Sequence, residues 1–403
     1  MSLQCQKCSY LREFEAIVLS CKPTVLNQLN CYEVLLNDTI LFPAGGGQPS
    51  DHGQIAGFDV INVERRGDCS AVHYIMEPVM AGQHVTLCVD WARRFDHMQQ
   101  HSGQHLITAI ADQMYHYKTT SWNLATGIDG KCFIELSSPS ITDEELQSIE
   151  DKCNECIRNR IAMRARWLDP DSDELKTIRT RGLPDDVAGP VRVIDIEGID
   201  SNMCCGTHVN NLSDIQAIKL LYAEQKKGNT IVYYIAGNRV FHYLGKTVLH
   251  EKKLTKLLCT GTTEHCDSVE RILKIQKQQN KIIRTQLREL AKLLSFQHLH
   301  NEPVDPLAII HRDDGDNEFM NIIASELTKK DILVFVTVGD NKTNGQFLLA
   351  SNNETLINDL GPKVTDLLDG KGGGRKGRYQ GKVNNMSRRS DVATLLREAI
   401  QQK

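Results

Sequence analysis

The first ninety positions alternate short apolar runs with turn residues. Phe14 to Leu19, Tyr32 to Leu41, Val60 to Val63, Ala71 to Ile75 and His84 to Val89 each read as a strand. Breaks rich in Gly, Pro and Asp between short strands suggest a small β-barrel or a sandwich over residues 1–90. At Trp91 the pattern changes. Arg93 to Tyr115 lacks proline, holds a single glycine, and sets Leu106, Ile107, Ile110 and Met114 at helical spacing. A strand is expected at Lys131 to Leu136. Thr142-Asp143-Glu144-Glu145 has the form of a capping box and opens a helix to about Met163. Val191 to Ile196, Ile215 to Tyr222 and Thr230 to Ala236 read as strands, and Gly198 to His208 as a loop carrying glycine and cysteine. Residues 91–245 are therefore expected to form an α+β domain.

From Arg239 to about Phe296 the chain is polar and helical, with leucines and isoleucines among Lys, Gln and Glu, broken at Gly261. This predicts a helical arm over residues 246–300, a hairpin or short coiled coil rather than a core. Residues 301–403 form a further α/β unit. Leu307 to His311, Ile332 to Val338 and Gln346 to Ala350 read as buried strands, and Asn317 to Lys329 and Ser390 to Ile400 as helices. The basic glycine-rich stretch Gly370 to Arg378 is expected as a loop.

Composition narrows the class. The 403 residues are 40% hydrophobic and 24% charged, as in an ordinary soluble domain protein. A net charge of −4 calls for no polyanionic partner globally, so any nucleic-acid contact must come from local patches. The N-terminus lacks an apolar core of signal-peptide length, and no apolar run reaches about 18 residues. Thirteen cysteines, an odd number, then read as reduced thiols in a cytoplasmic protein.

Some of those thiols can bind metal. His101 and His105 stand four apart, so on a helix both imidazoles share one face. Cys204 and His208 offer a sulfur and a nitrogen from one tight loop. Either pair alone is a weak signal. Together they suit one tetrahedral Zn²⁺ ion, which takes N and S ligands. His97 also lies four before His101, but His101 and His105 are preferred. Four protein ligands would close a structural site, whereas catalytic zinc keeps a position for water; the sequence leaves both open. Cys5/Cys8 and Cys153/Cys156 are further CxxC pairs, the second inside a predicted helix, and are read as ordinary thiols rather than a second zinc site.

Three stretches resemble the editing domain of alanyl-tRNA synthetases and the free-standing AlaX editing proteins. Phe42-Pro43-Ala44-Gly45-Gly46-Gly47-Gln48-Pro49 and the following Ser50-Asp51-His52-Gly53 resemble the family's Gly-Gly-Gln loop. His101-Ser102-Gly103-Gln104-His105-Leu106 matches its H-[ST]-x-x-H-L element. Cys204-Cys205-Gly206-Thr207-His208 matches C-x-G-T-H, with Cys205 where glycine is common. The likeness covers roughly residues 1–245, and Gly370 to Arg378 resembles the glycine-rich C-terminal domain of alanyl-tRNA synthetases. Gly-Gly-Gln also occurs in peptide-release factors, but the flanking residues fit the editing family better.

The resemblance implies a second-additional-domain fold and a metal-centred catalytic set of His101, His105, Cys204 and His208. The implied reaction is hydrolysis of mischarged tRNA(Ala), chiefly Ser-tRNA(Ala), at its acceptor end, without aminoacylation. Gln48, Arg93, Thr119 and Thr120 are expected to bind substrate, with Thr119, Thr120 and Ser121 as readers of the serine hydroxyl. Arg93 and Arg94 could meet the acceptor end or be exposed helix charges. Lys371, Arg375, Lys376 and Arg378 could approach phosphates, and Tyr379 could stack on a base. A homodimer through the arm or the C-terminal unit is compatible with the pattern. The competing readings are a non-catalytic tRNA- or protein-binding module with structural zinc, and editing of Ser-tRNA(Thr).

Overall fold

The computed structural model describes residues 2–67, 70–176, 178 and 189–401. The chain divides into two compact units, Met1–Lys253 and Leu254–Lys403.

The first unit opens with a single turn, α1 (Gln4–Lys7), and six strands: β1 (Glu13–Leu26), β2 (Leu29–Leu36), β3 (Gly53–Ile55), β4 (Phe58–Arg66), β5 (Ser70–Ile75) and β6 (His84–Val89). They close into a barrel in the order β1-β2-β5-β4-β3-β6, with β6 returning to pair with β1. Of the two expected all-β forms, the barrel is the one observed. Alternate residues Ala16, Val18, Val34, Leu36, Val85 and Leu87 fill its interior. The strand expected from Tyr32 to Leu41 stops at Leu36, and the chain then runs into the glycine loop. β3 escapes sequence reading because three residues are too few to show alternation.

His73 is enclosed in this barrel, hydrogen-bonded to Thr39 Oγ1 at 2.9 Å and the Val34 carbonyl at 3.3 Å. Burial pushes its imidazole down from 6.5 to about 4. Below pH 6.5 the unfolded chain takes up a proton that the folded chain refuses. The stability tied to this group is therefore complete above pH 6.5. It falls by up to about 1.4 kcal/mol per pH unit until the folded imidazole titrates. His73→Gln should flatten the decline of the urea midpoint between pH 6.5 and 4; an unchanged slope would remove His73 as its cause.

After the barrel come α2 (Trp91–Tyr115), β7 (Thr119–Asn123), β8 (Cys132–Leu136), α3 (Asp143–Arg158), β9 (Met163–Leu168), β10 (Val191–Ile196), β11 (Asp200–Met203), β12 (Ile218–Lys226) and β13 (Asn229–Ala236). They build an antiparallel sheet β12-β13-β8-β7 and a smaller sheet β11-β10-β9. α2 packs against α3 and the larger sheet around a core of Met98, Leu106, Ile110, Ile134, Ile149 and Val232. The Thr142 capping box is present: its hydroxyl accepts from Glu145 N, and the Glu145 carboxylate accepts from Thr142 N. α3 ends at Arg158 instead of Met163, because Arg160 turns to φ +55° and Met163 begins β9. Thr119 to Ser121, the expected hydroxyl readers, lie in β7. The expected loop before His208 contains β11, and the strand expected from Ile215 starts at Ile218.

α4 (Asn238–Leu258) follows, and the division between the units falls within it. The second unit holds α5 (His265–His300), β14 (Leu307–Arg312), α6 (Asn317–Thr328), β15 (Leu333–Gly339), β16 (Gly345–Ala350), α7 (Glu354–Leu367), β17 (Gly370–Arg375), β18 (Arg378–Val383) and α8 (Arg389–Gln401). Its sheet runs β14-β15-β16-β18-β17, with β14 and β15 parallel. The break expected at Gly261 separates α4 from α5. The glycine stretch is corrected from a loop to an edge strand: Gly370 to Arg375 pair in register with Val383 to Arg378. α7 was not anticipated; it carries Pro362 yet packs on β17 and β18. Tyr379 is partly buried. Its ring lies where a Cβ on Gly361 would stand, 2.2 Å away, and stacks near Phe347 at 6.2 Å, which argues against a base-stacking role. Among the described residues, no helix is long and apolar enough to cross a membrane.

Candidate metal centre

α2 brings the first two candidate ligands to one face. Asp90 caps it by accepting from Arg93 N at 3.1 Å. One turn apart on that face, the rings of His101 and His105 have centroids 5.2 Å apart. The loop after β11 supplies Cys204 and His208, and the His208 ring lies 4.4 Å from His101 and 4.8 Å from His105. The donor atoms of His101, His105, Cys204 and His208 all fall within 4.8 Å of one another. A tetrahedral ion with bonds of about 2.0–2.3 Å spaces its donors roughly 3.3–3.8 Å apart, so closing this set requires movement of only about 1 Å.

Hydrogen bonds behind the rings select the ligand atoms. His101 Nδ1 donates to Gln48 Oε1 at 2.9 Å, and His208 Nδ1 donates to the Gly206 carbonyl at 3.0 Å. Each bond leaves Nε2 with its lone pair toward the cluster. His101 Nε2 sits 3.3 Å from Cys204 Sγ. His208 Nε2 is buried and, among the described residues, has no hydrogen-bond partner. Burial first, then the neighbouring imidazoles, hold His101 and His208 well below the ordinary histidine range. Neutral rings are the form that binds metal. An orphaned buried nitrogen, three imidazoles and one sulfur together fit a metal ion with N/S preference.

The glycine loop is built to present Gln48. Gly45 and Gln48 exchange both backbone bonds at 3.0 Å around Gly46 and Gly47, whose φ values are +56° and +77°. Two consecutive positive φ values define a type I′ turn, which favours glycine. Space demands it as well, since a Cβ on Gly47 would lie 2.4 Å from the Trp122 ring. Gln48 is 2% exposed. Its oxygen also accepts from Thr207 N at 3.0 Å, and its amide donates to Thr207 Oγ1 at 2.8 Å. Expected at the substrate, Gln48 instead stands behind His101 and fixes its tautomer. Such partners typically contribute 10–100-fold in metal affinity. Gln48→Ala should therefore weaken zinc binding by about that factor in a competition titration with a chromogenic chelator.

Residues that the sequence did not single out hold the ligand loop. Arg192, the second residue of β10, donates from Nη1 to the carbonyls of Cys204 (2.7 Å) and Gly206 (2.8 Å). Gln6 of α1 donates to the Cys205 carbonyl at 2.9 Å. The one readable signal was an arginine among the apolar residues Val191, Val193 and Ile194. Arg94, expected beside the acceptor end or on the surface, is fully buried. It bonds Asp51 through Nε at 2.8 Å and through Nη2, and donates to the Ser9 carbonyl at 3.0 Å. It thereby ties α2 to the segment that follows Gln48. His97 is buried between these features, with its imidazole pushed down to about 3 by burial and nearby arginines.

The remaining expected substrate residues are placed as follows. Arg93 is half-buried and donates twice to the Ser50 carbonyl, at 3.2 and 3.1 Å. Thr119 meets Thr108 of α2 at 3.0 Å, whereas Thr120 is exposed and bonds the Glu135 carbonyl on β8. The CxxC cysteines do not converge: Cys5 belongs to the barrel core and Cys153 to the core under α2.

Comparison with known proteins gives the geometry a family. The model of the threonyl and alanyl tRNA synthetase second additional domain matches residues 191–233, the stretch that carries Cys204 and His208. Alanyl-tRNA editing protein Aarsd1 of Danio rerio is 47% identical, covering 99% of this chain and 98% of that protein. Its namesake in Rattus norvegicus is also 47% identical over the same shares. The putative alanyl-tRNA editing protein alaX of Saccharomyces cerevisiae is 31% identical, over 96% of this chain and 94% of its own length. With full-length kinship at this level and the four donors gathered on α2 and the β11 loop, the chain belongs to the alanyl-tRNA editing protein family.

Proposed function

We propose that this protein is a zinc-dependent deacylase that hydrolyses mischarged tRNA(Ala), chiefly Ser-tRNA(Ala), in trans and without charging tRNA. The observation carrying this reading is the convergence of His101, His105, Cys204 and His208 in a member of an editing family. Bound there, one zinc ion would supply Lewis-acid polarisation of the ester or of an attacking water. The protein's own residues do the rest. Gln48 and the Gly206 carbonyl hold two imidazoles as Nε2 donors. Thr119 offers a hydroxyl to the side chain of the wrong amino acid. Alanine would leave that polar group unpaired, which is the physical basis for sparing correctly charged tRNA. Arg93, at the start of α2, is proposed to meet the acceptor end.

The domain plan that goes with this reading is a barrel over 1–90, an editing domain over 91–245, an arm over 246–300 and a glycine-rich domain over 301–403, in a cytoplasmic protein. Lys371, Arg375 and Lys376 of the β17–β18 hairpin are exposed and would serve RNA phosphates. Arg378 is instead engaged by Asn321 and Ser325. Exposed Ile272, Ile275, Ile282 and Leu293 of α5 offer a seam for a second copy.

Four protein donors favour one alternative, a binding module with structural zinc. Purified protein incubated with Ser-tRNA(Ala), Ala-tRNA(Ala) and Ser-tRNA(Thr), with and without chelator, separates the readings. The expected result is chelator-sensitive hydrolysis of Ser-tRNA(Ala) at least about 100-fold faster than of Ala-tRNA(Ala), the discrimination open to a site that hydrogen-bonds the added hydroxyl. RNA binding without turnover would select the module, and preference for Ser-tRNA(Thr) would select the threonine system.

A further inference from the structure

α2 carries a second polar row beyond its ligands. Thr108 lies three residues after His105, so its hydroxyl comes next on the metal face of the helix. Thr108 is 3% exposed and Gln104 is 5% exposed, depths at which a hydroxyl or amide without a partner is costly. Gln104 Nε2 donates to Thr108 Oγ1 at 2.9 Å, and Thr108 Oγ1 lies 3.0 Å from Thr119 Oγ1.

Hydrogen counting gives this chain a direction. The Gln104 amide nitrogen, the atom that faces Thr108, can only donate, so it occupies a lone pair of Thr108. If Thr119 also donated to Thr108, the Thr108 hydrogen would lose this acceptor in a buried setting. The satisfied arrangement has Thr108 donating to Thr119. Thr119 then keeps its own hydrogen and a second lone pair for a ligand.

The strand is shaped to deliver that hydroxyl. Thr119 and Trp122 are three apart, which on a regular strand would place them on opposite faces. The β7–β8 register shifts between Thr119 and Ser121. A bulge of this kind re-aims side chains. Both residues consequently turn to α2, with Thr119 on Thr108 and the Trp122 ring 5.2 Å from His101. His105 stands between those two contacts along the helix.

We infer that Thr108, backed by Gln104, is a positioning residue that aims the Thr119 hydroxyl at the side-chain hydroxyl of the acyl group and so sets serine-over-alanine selectivity. This rests on the proposed deacylase reading. A purely structural role would make the three groups no more than mutual satisfaction at a helix–sheet contact.

Rates on Ser-tRNA(Ala) and Ala-tRNA(Ala), measured on the zinc-loaded full-length protein, decide between them. Thr108→Val keeps the volume and removes the hydroxyl. Its serine-to-alanine rate ratio should fall about tenfold, while Thr108→Ser should restore the ratio to within about twofold. Gln104→Met removes the fixed donor, leaves both hydroxyls and should lower the ratio severalfold; it carries the test if Thr108→Val fails to fold. An active parent whose ratio is unchanged in Thr108→Val, or in Gln104→Met where only that variant folds, overturns this inference alone. A parent without chelator-sensitive turnover of Ser-tRNA(Ala) overturns the deacylase reading and this inference with it.

Discussion

Cys204→Ala should bind far less zinc than the parent and lose at least about a thousandfold in Ser-tRNA(Ala) deacylation. The size follows from the chemistry. A metal polarising an ester or water supplies several kcal/mol of transition-state stabilisation, and each 1.4 kcal/mol is tenfold in rate. Cys204 Sγ lies 3.3 Å from His101 Nε2 and inside the four-donor cluster. Cys205, its neighbour, points elsewhere: its sulfur is 2.9 Å from where a Cβ on Gly46 would stand, under the glycine turn. Cys205→Ala should therefore keep about one zinc per chain by elemental analysis. Zinc retained in Cys204→Ala and lost in Cys205→Ala would reverse the ligand assignment, a result the adjacent cysteines make worth checking.

The second large effect concerns folding. Asp51→Ala should destabilise the first unit by about 3–5 kcal/mol, because it strands the Arg94 guanidinium in the interior. Neither side chain of the pair is exposed to solvent. The Asp51 carboxylate also accepts from Phe42 N at 2.7 Å, so the substitution opens a backbone bond as well. At roughly 2–4 °C per kcal/mol for a unit of this size, the midpoint of thermal unfolding should drop by about 10 °C. Adding Arg94→Met should recover part of the loss, since a buried pair replaced by apolar groups is often neutral. The surface Arg312–Asp314 pair, with Asp314 exposed and Arg312 partly so, is the control, for which Asp314→Ala should cost at most about 1 kcal/mol. A shift no larger than this control in Asp51→Ala would show that Arg94 finds other compensation.

Much of the plan was legible because it is local. The β6 and β10 strands were bounded correctly from their apolar runs, and the Thr142 capping box formed as its residues predicted. What failed has identifiable causes. Gly370 to Arg375 presents almost no side chains, so no alternation could announce a strand; pairing with β18 and cover from α7 make it one. Pro362 masked α7, although Ile357, Leu360 and Val364 do keep helical spacing. Thr119 to Asn123 is too short and polar to announce a strand, yet neighbouring β8 recruits it as an edge strand through a bulge.

The four candidate donors were legible in the chain itself. His101 with His105, and Cys204 with His208, are each separated by four residues, a distance that one helix turn or one tight loop spans whatever the rest of the protein does. That the two pairs meet was a matter for tertiary structure, as was the company they keep. Gln48 reaches His101 across 53 residues, Arg192 clamps a loop 12 and 14 residues away, and Arg94 finds Asp51 across 43. Such partners depend on barrel closure and on the seating of α2 against its sheet. Hydrogen bonds and ion pairs between distant segments obey geometry that no periodicity in the sequence records.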